Sequence, residues 1–89
     1  MTEIVAAAIW PDKDENETCF TLFKPEKSNA HPNAWMCRYT VTSSVTHVDH
    51  RMYGVDTLQA LAHAMMIIDV HAKRLGIDLH LFDKEREAE

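Results

Sequence analysis

The chain has 89 residues, 46% of them hydrophobic, with fourteen acidic and nine basic side chains and a formal net charge of −5. That length supports one domain with one modest core, burying roughly two-thirds of the surface the unfolded chain exposes, and leaves no room for a second domain. The negative balance disfavours nucleic acid and anionic membranes as direct ligands and favours encounter with basic protein surfaces.

The apolar run Ile4 to Trp10 is far too short to cross a bilayer, and Glu3 stands where a secretion signal would carry positive charge. A cytoplasmic protein is the expectation. Ile4–Ile9 reads as a first strand stopped by Trp10-Pro11, and its small alanines place it at a sheet edge or leave its position open. The charged stretch Asp12 to Glu17 reads as a solvated turn. Thr18–Phe23 has the β-branched and aromatic content of a second strand, closed by Lys24-Pro25. Glu26–Asn33, bracketed by prolines 25 and 32, is expected to be a loop.

Trp35, Cys37, Tyr39 and Val41 alternate with Met36, Arg38, Thr40 and Thr42, the clearest period-two pattern in the chain, and the first set is predicted to face inward. After Ser43-Ser44 the pattern resumes from Val45 to Tyr53, so the third and fourth strands form an antiparallel hairpin and complete a four-stranded meander. Cys19 and Cys37 lie in separate strand-like runs without zinc-ligand spacing. If those runs are neighbours a disulfide is geometrically possible, but in a reducing compartment two buried thiols are expected.

Tyr53-Gly54-Val55-Asp56-Thr57-Leu58-Gln59-Ala60-Leu61 marks the passage from strand to helix. Gly54 is expected at a positive φ in a sharp turn, and Asp56 or Thr57 at the helix N-cap. Leu58, Leu61, Met65, Ile68, Ala72 and Leu75 then recur at spacings of three and four, predicting one apolar face of a helix about twenty residues long. Lys73 and Arg74 suit its negative end, and Gly76 its C-cap. Ile77–Phe82 alternates like a short additional strand, and Asp83–Glu89 reads as a charged tail beyond a domain of residues 1–82. The expected core is Phe20, Leu22, Trp35, Cys37, Tyr39, Val41, Leu58, Leu61, Met65, Ile68 and Leu75, and the expected fold is α+β, an antiparallel meander followed by one long helix packed on the sheet.

Six histidines invite a metal reading, above all His47-Val48-Asp49-His50. On a strand, however, His47 and Asp49 face one side and His50 the other, while His63 and His71 sit about 80° apart and two turns apart on a helix. Zinc catalysis needs three convergent ligands, so neither a metal nor a cofactor is expected. Ser44, Thr46, His47 and Asp49 supply the residue types of nucleophilic catalysis, yet on a hairpin they read as a solvent-facing surface, and no catalytic residue is expected.

Opposite the predicted core stripe lie Gln59, His63, Met66, Val70 and Lys73, with Ile67 and Ala60 beside them. Met66 and Val70 are sizeable apolar groups on a face that should meet water, so these five residues are the candidate partner-binding surface. A covering of that face within the domain is the plain alternative.

Arg51 and the Tyr53–Leu61 segment resemble the C-terminal signature of a family of short, uncharacterised bacterial proteins, in which an arginine-containing strand ends in YGVDSLQAL and runs into an apolar helix. Here Asp56-Thr57 stands where that family has Asp-Ser, Met66 to His71 is less leucine-rich, and Ile77–Phe82 is added. The resemblance implies the strand-to-helix element and no activity. In size and charge the chain is also similar to immunity proteins and phage-encoded counter-defence proteins, which cap another protein. The functional expectation is a non-catalytic protein-binding module, immunity-type or inhibitory, that blocks a basic site on a toxin or defence protein. A self-associating homodimer of structural or regulatory role is the alternative, and a small metal-dependent enzyme stands third.

Overall fold

Alternating strand chemistry and one strongly periodic helix produce, in chain order, β1 (Ile4–Pro11), β2 (Glu17–Phe23), β3 (Glu26–Lys27), β4 (Trp35–Thr42), β5 (His47–Gly54) and α1 (Thr57–Arg74). The structure is a computed structural model and describes residues 3–82. The expected tail Asp83–Glu89 lies outside the described residues. All pairings are antiparallel, β1 on β2, β2 and β3 on β4, and β4 on β5. Because β5 pairs β4 along its whole length, β2 and β3 share the opposite edge of β4, and β3 prolongs the line of β2 past the break at Lys24-Pro25. The result is the expected four-ribbon meander with one ribbon in two pieces.

Two elements therefore differ from the sequence reading. The fifth strand is Glu26–Lys27, inside the segment expected to be a loop, whereas Ile77–Phe82 forms no strand. After Schellman closure of the helix, Ile77 is buried, Leu79 packs against the core and Leu81 lies with it beside β1, but the segment pairs with no strand. Alternation in so short a run reports which side chains are buried, not whether the backbone has a strand to pair with.

The inward set of β4 is as predicted, with Cys37, Tyr39 and Val41 buried, Trp35 half-buried, and Phe20 and Leu22 beside them. α1 crosses this face over β4 and β5 and barely touches β2. Its buried residues are Ala60, Ala64, Ile68 and Ala72, a ridge of i+4 steps whose small members let helix and sheet approach closely. Leu61, Met65 and Leu75 pack at its flank, but Leu58, expected in the core, is 75% exposed, and Ala60, expected beside the exposed face, is fully buried. The centre of the expected apolar stripe thus lies about 50° around the helix from that of the buried ridge, because a helix apolar on most sides does not reveal from periodicity which ridge meets the sheet.

Both helix ends follow sequence signals. Asp56 is the N-cap, its Oδ1 accepting from the Gln59 N–H at 2.7 Å, while Gln59 Oε1 accepts from the Val55 N–H at 2.8 Å, a reciprocal arrangement close to a capping box. At the other end Gly76 has φ 78°, its N–H donates to the Lys73 carbonyl, and the Ile77 N–H donates to the Ala72 carbonyl at 2.9 Å. That is the Schellman pattern, with both Ile77 and Ala72 buried in the core cluster.

Gly54 is not at a positive φ, contrary to expectation, since Gly76 is the positive-φ glycine of the chain. Its reason is proximity. A Cβ on Gly54 would stand 2.5 Å from the Ala60 backbone nitrogen and 2.8 Å from the Gln59 carbonyl carbon. The strand end and the first helical turn touch backbone to backbone there, and a side chain would hold them apart.

Candidate functional site

The helix surface turned away from the sheet carries a second i+4 ridge, Leu58, Ala62, Met66 and Val70, all exposed. Stepping 100° per residue, its mean direction lies about 160° from that of Ala60, Ala64, Ile68 and Ala72. Met66 is 56% and Val70 40% exposed, and Gln59 and Lys73 are exposed with them, so four of the five predicted partner-binding residues stand open to solvent and His63 is half-buried. Gln59, His63 and Lys73 also have intramolecular roles. Gln59 is spent on the N-cap, the His63 ring Nδ1 is 2.7 Å from the Tyr53 carbonyl, and Lys73 pairs with Asp69 at 3.0 Å. Leu58 and Ala62 belong to this ridge although the sequence reading does not include them in the binding surface and places Leu58 in the core; the apolar residues four apart are the signal that could have found them.

The residues weighed for chemistry are dispersed among structural partners. Asp49 is gripped by Arg38, Nε to Oδ1 at 2.9 Å and Nη2 to Oδ2 at 2.8 Å, on the sheet face away from the helix. The bidentate hydrogen bonds from Arg38 hold the Asp49 carboxyl below its ordinary range, and they raise the guanidinium in turn. Arg38 also lies 4.6 Å over the Phe23 ring. Asp49 thus faces an arginine and does not orient His47 as a base. Ser44 Oγ donates to Asn16 Oδ1, and Ser43 Oγ accepts from the Val45 and Thr46 N–H groups to close the β4–β5 turn. His50 is on the helix side, its ring 6.3 Å from that of Tyr39. Among the described residues no three His, Cys, Asp or Glu side chains converge as a metal site.

Cys19 and Cys37 are both free. Cys37 faces the helix, buried, with its thiol pushed up by burial and donating to the Phe23 carbonyl; half-buried Cys19 lies on the other face, paired across to Thr42. Opposite sheet faces preclude a bridge between them.

One polar group is enclosed beneath the helix. The Tyr39 hydroxyl and His71 Nε2 are 3.2 Å apart, with Tyr39 almost fully buried. Burial first, then Arg74 and His50, depresses the His71 pKa below its usual value, and burial raises that of Tyr39. The unfolded chain therefore takes up a proton at position 71 before the folded one does, so this site's contribution to stability is complete above about pH 6.5 and declines as pH falls below it. Urea midpoints measured at pH 7.0 and 5.5 should fall more for the wild type than for His71→Gln; equal losses would show that the imidazole is not linked to folding.

Beside α1 the sheet is thinly covered. An apolar groove of about 240 Å³ opens between Met65 and Ile68 of the helix, Leu79 and Leu81 of the returning segment, and Ala6 and Ala8 of β1, with Phe20 and Leu22 at its floor. No helix among the described residues is long and apolar enough to cross a membrane. Residues 8–83 match the DUF6968 family, described as a domain of unknown function. No curated protein and no solved structure matches the chain.

Proposed function

The chain belongs to the DUF6968 family of unknown function, and within that family we propose that it is a non-catalytic protein-binding module of immunity-type or inhibitory character, acting in the cytoplasm. The observation that carries this reading is the solvent-facing ridge of Leu58, Ala62, Met66 and Val70, apolar at every step and about 160° around the helix from the buried one. A monomer gains nothing from such a ridge, whereas a partner helix or groove can take it by ridge-into-groove packing. The partner is a protein with an apolar groove and a basic rim: a net charge of −5 speeds encounter with positive surface, and blocking a site sterically requires no reacting group. The Arg51 to Leu61 segment is proposed as the family's recurring strand-to-helix element, because Gly54, Asp56 and Gln59 each have a structural task within it.

A photo-crosslinking side chain placed at position 66 in cells should give one adduct of defined mass above that of the chain, with a heterologous basic protein. The same probe at position 51, on the far sheet face, should not. Met66→Glu should abolish capture of that protein while leaving the melting temperature within a few degrees, since a charge desolvated among apolar groups costs several kcal/mol only when the face is covered. Adducts made solely of two copies of the chain would refute the heterologous partner, and collapse of the fold in Met66→Glu would show the ridge to be internal.

A further inference from the structure

The two edges of the sheet are treated very differently by the sequence. β5, at one edge, carries His47, Asp49, His50 and Arg51, and charge along an edge opposes pairing with another chain. β1, at the other, is IVAAAIWP, eight residues without a charge and exposed along nearly its whole length in a protein that is acidic overall. A bulge between Ile4 and Ala6 disturbs its first turn of pairing, and from Ala6 to Pro11 it is regular.

The direction of its free backbone groups follows from the end of the β1–β2 ladder. The Asp12 N–H donates to the Asn16 carbonyl at 2.9 Å, in step with the pairs Pro11 to Glu17 and Trp10 to Thr18. In an antiparallel pair inward and outward residues alternate, so Asp12, Trp10, Ala8 and Ala6 turn their backbone groups toward β2 while Pro11, Ile9 and Ala7 turn theirs to the open edge. Pro11 has its missing donor on the free side, the one place in a sheet where proline costs nothing.

We propose that β1 is a homodimer interface: two copies of the chain pair their β1 strands antiparallel about a two-fold axis at Ala8 and merge their sheets into one. The register follows from three properties of the strand. Ala8 is the midpoint of the regular stretch Ala6–Trp10. With the axis there, outward residues Ala7 and Ile9 face each other across the axis twice, forming about four backbone hydrogen bonds between the copies. Large side chains then lie opposite small ones, Ile9 against Ala7 and Trp10 against Ala6. Ala6 and Trp10 share the helix side of the sheet with Leu22 and Thr18. Trp10 of each copy, 41% exposed in the single chain, thus reaches over Ala6 into the mouth of the other's 240 Å³ groove. At the ends, Glu3 of one copy meets Lys13 of the other, both exposed in the single chain, so the charges flanking the neutral strand attract rather than repel. An isologous contact of this kind uses up both open edges and stops at two copies.

Sedimentation equilibrium at tens of micromolar tests it. The wild type should run at twice the chain mass. Ile9→Lys, on the solvent side of an edge strand, should weaken dimerisation at least about 100-fold, the loss expected when a charge is put into a paired edge. Glu3→Lys should weaken it less, and adding Lys13→Glu to Glu3→Lys should restore wild-type affinity; this charge swap decides the register even if Ile9→Lys fails to fold. Met66→Glu should leave the dimer unchanged, which separates this contact from the helix ridge. A wild type that stays monomeric at 100 µM, a dimer indifferent to Ile9→Lys, a charge swap without restoration, or a dimer broken by Met66→Glu would each overturn the proposal.

Discussion

Gly54→Ala should destabilise the fold by about 2 to 3 kcal/mol and Gly54→Val by more, the upper range for forcing atoms into a packed site. The cause is steric. The added Cβ would fall within 3 Å of the Ala60 nitrogen, the Gln59 carbonyl carbon and the Gln59 Cβ, and two of those atoms are backbone that cannot step aside without moving the helix. Gly76 provides the internal comparison, because its φ of 78° is its main claim on glycine and a Cβ there would meet the Lys13 Cβ at 3.3 Å, a tight contact that asks a side chain and not backbone to give by a few tenths of an ångström. Gly76→Asn should cost little, since asparagine accepts the left-handed region, whereas Gly54→Asn should cost as much as Gly54→Ala or more. Chemical denaturation of the four variants separates the two causes; a Gly54→Asn protein as stable as the wild type would show that the backbone contact relaxes freely.

The two helix ridges should respond in opposite ways to the same substitution. Ala64→Leu should destabilise by about 2 to 3 kcal/mol, because Ala64 is fully buried where α1 lies on the sheet and three added carbons must lift the helix. Ala62→Leu, two residues earlier on the exposed ridge, should leave stability within about 0.5 kcal/mol, leucine and alanine both being good helix formers. Helix propensity is common to both sites, so the difference between their denaturation midpoints measures how closely the helix is seated. Equal effects would mean that α1 is either loosely held or covered on both sides. Ala62→Leu also enlarges the proposed binding ridge, and a change in partner capture without a change in stability would place it at that contact.

Local chemistry made much of this protein legible. Alternation in Trp35–Thr42 revealed which side of β4 is buried, because period two has only two phases. Asp56 and Gly76 announced the helix ends through hydrogen-bonding and φ requirements confined to a few residues. The failures share a different character. Gly54 was read for its own backbone angle, when its need for no side chain arises from residues 59 and 60 folding back upon it. Leu58 was placed in the core because size and apolarity name candidates for burial, while the ridge that meets the sheet is chosen by how closely the backbones can approach, and three alanines approach more closely than leucine. Ile77–Phe82 has a strand's alternation yet sets Leu79 and Leu81 beside β1 without pairing with it, and Glu26–Lys27 has no such pattern yet is delivered to β4 by the strand before it. The exposed ridge was half-visible as Met66 and Val70; its full extent through Leu58 and Ala62 emerged once the opposite ridge was seated. The sequence by itself determined the four long strands and the helix, the helix caps and the inward face of the central strand, all properties of neighbours along the chain. Which helix ridge meets the sheet, which glycine must stay bare and which sheet edge lies open were decided by tertiary structure alone, because each depends on the distance between segments that no local pattern encodes.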